Sequence, residues 1–189
     1  LGPNANVKDT WGFPYGLSVA QGLILSGLYK NILVIGAEVL SGFIDWKDRS
    51  TCVLFGDGAG AAVISESKNG HGILSTFLAA DGNYADLLKI PAGGSAIPPS
   101  EESVREKLHY LKMNGAEVFK LAVRSMGDAI LKAIRLAGIK PEQVDVLIPH
   151  QANLRIIQAV AERVNMPFEK VFINLDKYGN MSSASTIVA

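Results

Sequence analysis

Two polar side chains stand where α/β proteins carry chemistry. His150 closes the apolar run 144–148 and its Pro149, and opens onto a helical pattern. Asn180 follows the apolar run 171–175 and the Tyr178-Gly179 turn, and precedes a run of small residues. An imidazole can move a proton or donate a hydrogen bond, and a carboxamide can donate one from Nδ2. The carboxyl ends of strands are where such groups collect in this class of protein. Position alone leaves two readings open for each. His150 also fits a histidine satisfied by loop hydrogen bonds, and Asn180 also fits a turn or helix-capping asparagine. Adjacent, parallel strands would bring both groups to one pocket. Cys52 is the one cysteine. It falls in an apolar stretch, 51–55, that reads as a strand, where a thiol behaves as a small hydrophobe rather than a nucleophile.

The elements that must position these groups alternate. Residues 17–28 carry apolar side chains on one helical face, with Gly27 near the end. Residues 32–36 read as a fully buried strand, 51–55 as a second and 60–64 as a third. The Gly56-Asp57-Gly58 turn suggests a tight antiparallel return between the last two. Residues 68–111 are less regular, and the segments around Gly93-Gly94 and Pro98-Pro99 read as loop. A long helix then carries the stripe Phe119, Ala122, Val123, Met126, Ile130, Ala133, Ile134 and Ala137, ended by Gly138. A strand over 144–148, a helix over 153–165 facing inward through Leu154, Ile157, Ala161 and Val164, a strand over 171–175 and a helix from Met181 complete the pattern. Such alternation defines the α/β class.

The bulk numbers exclude several functions. The chain has 189 residues, 48% hydrophobic and 19% charged, enough for a packed core, and its 18 basic and 18 acidic residues cancel. No long-range field draws it to nucleic acid or to an anionic membrane. A single thiol makes no internal disulfide, which fits a reducing compartment. No signal-peptide pattern opens the chain and no apolar run is long enough to span a bilayer, so a cytoplasmic protein is expected.

Four longer stretches make a specific match. They are Ile148-Pro149-His150-Gln151-Ala152-Asn153-Leu154-Arg155, Lys177-Tyr178-Gly179-Asn180-Met181-Ser182-Ser183-Ala184-Ser185, the run from Asp48 to Ala61 with its Gly56-Asp57-Gly58-Ala59-Gly60, and Met113-Asn114-Gly115-Ala116-Glu117-Val118-Phe119-Lys120. In type and order they resemble the signatures of type III beta-ketoacyl-[acyl carrier protein] synthases, and the similarity runs from Gly12 onward. The His-Gln-Ala-Asn form separates the chain from chalcone synthases, thiolases and two-histidine condensing enzymes.

The resemblance implies a thiolase-like layered αβαβα fold, here incomplete at both ends. Residues 1–90 would be the end of the N-terminal half and residues 91–189 most of the C-terminal half. It implies that His150 and Asn180 belong to a Cys-His-Asn triad that decarboxylates malonyl-carrier protein and condenses it with an acyl group, initiating fatty acid synthesis. It further implies that Arg49 stacks on the adenine of coenzyme A, that Asn153 bonds the pantetheine arm, and that Met113, Gly115, Phe119 and Ala152 line the acyl channel. Lys120 and Arg155 would meet the acidic carrier protein. The partners implied are acyl carrier protein, acyl-CoA and a second copy of the chain, with no metal and no cofactor beyond the thioester substrates.

Beside these stand plainer readings from the residues themselves. Arg49 fits an ion pair with Asp48 or Asp45, and Phe119 fits core packing. Arg124 and Arg163 read as solvated surface, as do His71 and His109. The glycines around Asp57 resemble a phosphate loop but lack its spacing and its following helix, so tight backbone packing is the better reading.

One departure matters. The family nucleophile stands just before a Gly-Phe-x-Tyr-Gly/Ala-Leu run, here Gly12-Phe13-Pro14-Tyr15-Gly16-Leu17. Two residues before Gly12 stands Thr10, not cysteine. A helix start stabilises a thiolate, whereas a threonine hydroxyl needs a strong base beside it. A chain with Thr10 as nucleophile is therefore not expected to condense acyl groups. Either the stretch before Gly12 carries a sequence error or the protein is a cysteine-less homologue, and divergence of the whole segment 1–11 favours the first. Two rival functions follow: a relative in secondary metabolism, or a non-condensing module that binds acyl-CoA or carrier protein.

Overall fold

The computed structural model describes residues 12–189, so Thr10 lies outside the described residues. Helix α1 (Gly12–Leu25) leads into β1 (Asn31–Glu38), and β2 (Gly58–Ser65) returns antiparallel along it. Helix α1 starts five residues before the apolar periodicity does. Its Pro14 sits in the first turn, where the missing N–H costs nothing. The chain leaves α1 through Gly27, whose φ of +75° suits glycine.

The predicted strand over 51–55 does not form. Asp48 captures it instead: its side chain accepts from Ser50 N–H and Thr51 Oγ, and its carbonyl from Cys52 N–H at 3.0 Å. These local bonds fold the segment into turns and leave only Phe55 in a bridge. The partner of β2 is therefore β1, not 51–55, and Cys52 is half-buried in a turn rather than enclosed in a strand. Residues 32–36 also differ from expectation. Val34 and Gly36 are buried, but Leu33 and Ile35 alternate with them to solvent, because among the described residues only one face of the hairpin is covered.

That face carries α1 and the last helix of the chain. Before it come β3 (Leu88–Lys89), α2 (Glu101–Arg105), β4 (Lys112–Met113), α3 (Gly115–Ala137), α4 (Leu154–Arg163), α5 (Leu175–Tyr178) and α6 (Ser183–Val188). The segment read as loop at 98–102 in fact starts α2. Ser100 and Ser103 cap each other reciprocally, a short box that substitutes serine for the usual acidic partner.

Helices α3 and α4 cross and form the core of the second part. Asn114 caps α3 and Gly138 ends it at φ +68°. Ile157 and Ala161 of α4, with Val164 at its end, pack with Met166 and Val171, while Ile156 and Val160 meet Met126 of α3. Leu154, expected inward, is exposed, because α4 turns its Ile156 to the partner helix instead. The crossing is close at Gly127, where a β-carbon would run into the side chain of Arg163.

The runs 144–148 and 171–175 meet in parallel, the arrangement that the sequence left open, and do so only through a bridge at Leu147 and Val171. Leu147 N–H donates to Lys170 O at 2.8 Å and Phe172 N–H to Leu147 O at 2.9 Å. The second run breaks off early, because α5 begins at Leu175. Among the described residues no helix is long and apolar enough to cross a membrane.

Candidate active site

Beyond Leu147 the two parallel segments are held by a side chain. Gln151 is fully buried. Its Nε2 donates to Pro149 O at 2.9 Å and to Phe172 O at 3.2 Å, and its Oε1 accepts from Asn174 N–H at 3.0 Å. The carboxamide thus continues the ladder after the backbone has left it, and fixes the loop that carries His150. The one local sign of this role is a glutamine inside the run His150-Gln151-Ala152-Asn153, and nothing near it in the chain marks Phe172 and Asn174 as its partners.

His150 lines a cleft of about 140 Å³ together with Pro14 from the first turn of α1, Thr186 from α6, and Met126, Ile130 and Leu147. The walls are nearly all apolar. Burial pushes the imidazole pKa down from 6.5 to about 4, so at neutral pH the ring is uncharged and carries one N–H. Among the described residues, the first turn of α1 holds no acidic side chain, and its Pro14 lies on the cleft.

Asn180 is buried and is held on three sides. Its N–H donates to Leu54 O at 3.0 Å, its carbonyl accepts from Gly56 N–H at 2.9 Å, and its side-chain Oδ1 accepts from Ser182 N–H at 2.9 Å. The amide Nδ2 is left as its donor end. Gly56 is required here: a β-carbon would overlap Tyr178 O. The glycines around Asp57 therefore serve close packing against the 178–187 segment, and not a phosphate. Three residues on from Asn180, α6 begins, and its Thr186 reaches the His150 cleft.

The remaining expected residues fall in three groups. Phe119 and Ala152 pack against the Met126–Ile156–Val160 core. Met113 lies in β4 beside Gly115, the first residue of α3. Asn153 caps α4, its side-chain oxygen accepting from Arg155 N–H at 2.8 Å. Arg49 is exposed, and the ion-pair reading fails: Asp45 pairs with Lys107 at 2.6 Å, which holds its carboxyl below the usual range, and Asp48 is taken by Ser50 and Thr51. Lys120 is exposed and pairs with Glu117 at 2.8 Å, and Arg155 is exposed. Arg124 and Arg163 are not simply solvated. Arg124 bonds Tyr84 Oη at 3.1 Å and Arg163 pairs with Asp128 at 2.7 Å. His109 stacks on Tyr110 at 4.0 Å, with its Nδ1 shielded from solvent.

Residues 8–82 match the family described as 3-Oxoacyl-[acyl-carrier-protein (ACP)] synthase III, and residues 134–189 match its C-terminal family. The chain belongs to this family. It is 54% identical over 178 residues to the beta-ketoacyl-acyl-carrier-protein synthase III of Caldanaerobacter subterraneus subsp. tengcongensis, covering 94% of this chain and 54% of that one. It also superposes on crystal structures of the synthases III from Aquifex aeolicus and Thermus thermophilus. TM-scores are 0.84 and 0.85, identities 48% and 44%, and each match covers 96% of this chain and 54% or 55% of the other. The fold is accordingly the thiolase-like α/β fold of the synthases. The chain spans about half the length of the curated relatives it matches.

Proposed function

We propose that this chain carries the decarboxylating half of a beta-ketoacyl-ACP synthase III, the enzyme that joins an acyl group from acyl-CoA to malonyl-ACP at the start of fatty acid synthesis. The observation that carries the reading is the placement of an uncharged His150 in an apolar cleft with the first turn of α1 and with α6, the helix that Asn180 introduces. In the reaction, the bond to the malonyl carboxylate breaks and carbon dioxide leaves. The electron pair moves onto the thioester oxygen. The His150 N–H and the Asn180 Nδ2 donate to that oxygen as its charge develops. The enolate carbon then attacks the acyl carbonyl held on the side chain before α1, a carbon–carbon bond forms, and that side chain leaves. The chemistry asks for no metal and no redox group.

In this reading residues 1–90 and 91–189 belong to two related halves. Arg49, free of Asp45 and Asp48, serves the adenine of coenzyme A. Asn153 serves the pantetheine arm with the amide end that its capping role leaves over. Met113, Gly115, Phe119 and Ala152 border the acyl channel. Lys120 and Arg155 face the acidic carrier protein, a second copy completes a homodimer, and the protein works in the cytoplasm.

Thr10 favours a second reading, a homologue that binds acyl-CoA and carrier protein without condensing them. Release of labelled carbon dioxide from a malonyl thioester tests the first reading without needing a nucleophile. His150→Ala and Asn180→Ala are each expected to lower it by roughly 10²–10³-fold. Mass spectrometry of a Thr10→Cys chain with acyl-CoA tests the nucleophile position, and an acyl adduct on residue 10 is expected. No decarboxylation by the parent chain together with no adduct on the cysteine variant refutes the proposal in favour of the second reading.

A further inference from the structure

We infer that Glu38, at the end of β1, is a positioning residue for the Asn180 carboxamide; the inference rests on the reading of Asn180 given above. One carboxylate oxygen of Glu38 collects three donors from two successive residues: Ser182 Oγ at 3.1 Å, Ser183 N–H at 3.3 Å and Ser183 Oγ at 2.5 Å. These residues begin two positions after Asn180.

The reason for so many bonds lies in the backbone. Ser182 has φ +50° and ψ −119°, a region that side chains other than glycine rarely enter. Such a conformation persists only where its surroundings over-determine it. In this conformation Ser182 N–H turns back to Asn180 Oδ1. That bond fixes the oxygen end of the carboxamide and so decides where Nδ2 points, since the amide group is planar. Glu38 clamps Ser182 from the other side. Release of the clamp lets Ser182 relax, frees Oδ1, and allows the amide to rotate.

The clamp is within reach because β1 and α6 touch. Gly36, two residues before Glu38 on the same face, lies so close to Ser183 that a β-carbon there would stand 2.8 Å from Ser183 O. A carboxylate accepts and does not donate, so Glu38 itself offers nothing to a developing oxyanion. Its part is orientation.

The test uses the full chain with Glu38→Ala and Glu38→Gln. Two readouts are taken: decarboxylation of a malonyl thioester, and hydrogen exchange at the Ser182 and Ser183 amides. Glu38→Ala is expected to lower kcat by about tenfold with KM changed by less than about twofold, and to speed exchange at Ser182. Glu38→Gln keeps an acceptor oxygen and is expected to recover kcat to within about threefold of the parent. Unchanged exchange at Ser182 in Glu38→Ala overturns the inference, as does a parallel fall of kcat and melting temperature that Gln fails to rescue. An Asn180→Ala chain as fast as the parent removes the reading of the site instead, and the exchange at Ser182 then judges Glu38 by itself.

Discussion

Replacement of Gln151 by methionine separates the role of its carboxamide from that of its bulk. Methionine is unbranched, has nearly the same length, and leaves the packing of a fully buried side chain intact. It removes three hydrogen bonds. Asn174 N–H and Pro149 O then stay buried without that partner, while Phe172 O is partly open to solvent. A buried backbone group left unsatisfied costs about 1–3 kcal/mol, so the two buried groups together cost about 2–6 kcal/mol and the third little. Urea denaturation of parent and variant measures this. The midpoint is expected to fall at unchanged slope, which marks a loss of stability rather than a change in the unfolded chain. A second effect follows from the same geometry. The loop carrying His150 loses the tie to Phe172 and Asn174, so decarboxylation is expected to fall even at temperatures where the variant is fully folded. A Gln151→Met chain within about 1 kcal/mol of the parent refutes the reasoning, because it shows that the ladder holds without the side chain.

Three other outcomes follow. The His150 pKa is lowered from 6.5 to about 4 by burial, so on acidification the unfolded chain takes up its proton first. Stability from this group is complete above pH 6.5 and is lost as pH falls toward 4, by up to about 3 kcal/mol, and a urea series over pH 7.5–4 should lose that slope in His150→Ala. Gly36→Ala drives a β-carbon against Ser183 O, a backbone atom that cannot swing aside, and should cost about 1–3 kcal/mol in the same assay. Gly127→Ala meets only the flexible side chain of Arg163, so it should cost less than about 1 kcal/mol, the worth of the exposed Asp128–Arg163 pair it disturbs.

The legible parts of the fold are those set by periodicity and by caps. Helix α3, with its stripe from Phe119 to Ala137 and Gly138 at the end, could be read directly, as could β1 and β2 to within two residues. The two apolar runs that precede His150 and Asn180 were visible, but their parallel meeting was not, since no local pattern fixes which runs lie side by side. Residues 51–55 were not, because Thr51 and Val53 look like strand while the Asp48 carboxylate, three residues away, offers their backbone a better set of bonds. Apolar periodicity alone missed the start of α1, because its first turn holds Gly12 and Pro14, both tolerated there, in place of the stripe that begins at Leu17. Within the candidate site, His150 and Asn180 stood out by their residue types and by their places after apolar runs. Gln151 and Glu38 did not, since most of their bonds go to groups far along the chain, 21 to 145 residues away. No local pattern encodes such a partner.

The site also divides along a chemical line. Stabilising an enolate needs donors that are fixed before the charge appears, and the proposed reading assigns that part to an uncharged imidazole in the cleft and to a carboxamide whose oxygen end is tied to Ser182. Holding an acyl group needs a side chain that ionises, or is deprotonated, near neutral pH. At the start of a helix a thiol meets that need because its pKa starts near 8.5 and the helix end lowers it. A hydroxyl starts far higher, and a ring whose pKa is held near 4 is a poor base to deprotonate it. In the proposed reading, the burial that keeps the His150 ring uncharged suits it to donate to an enolate and not to deprotonate a hydroxyl. Decarboxylation should proceed in the chain with threonine at position 10, while condensation should wait for cysteine there.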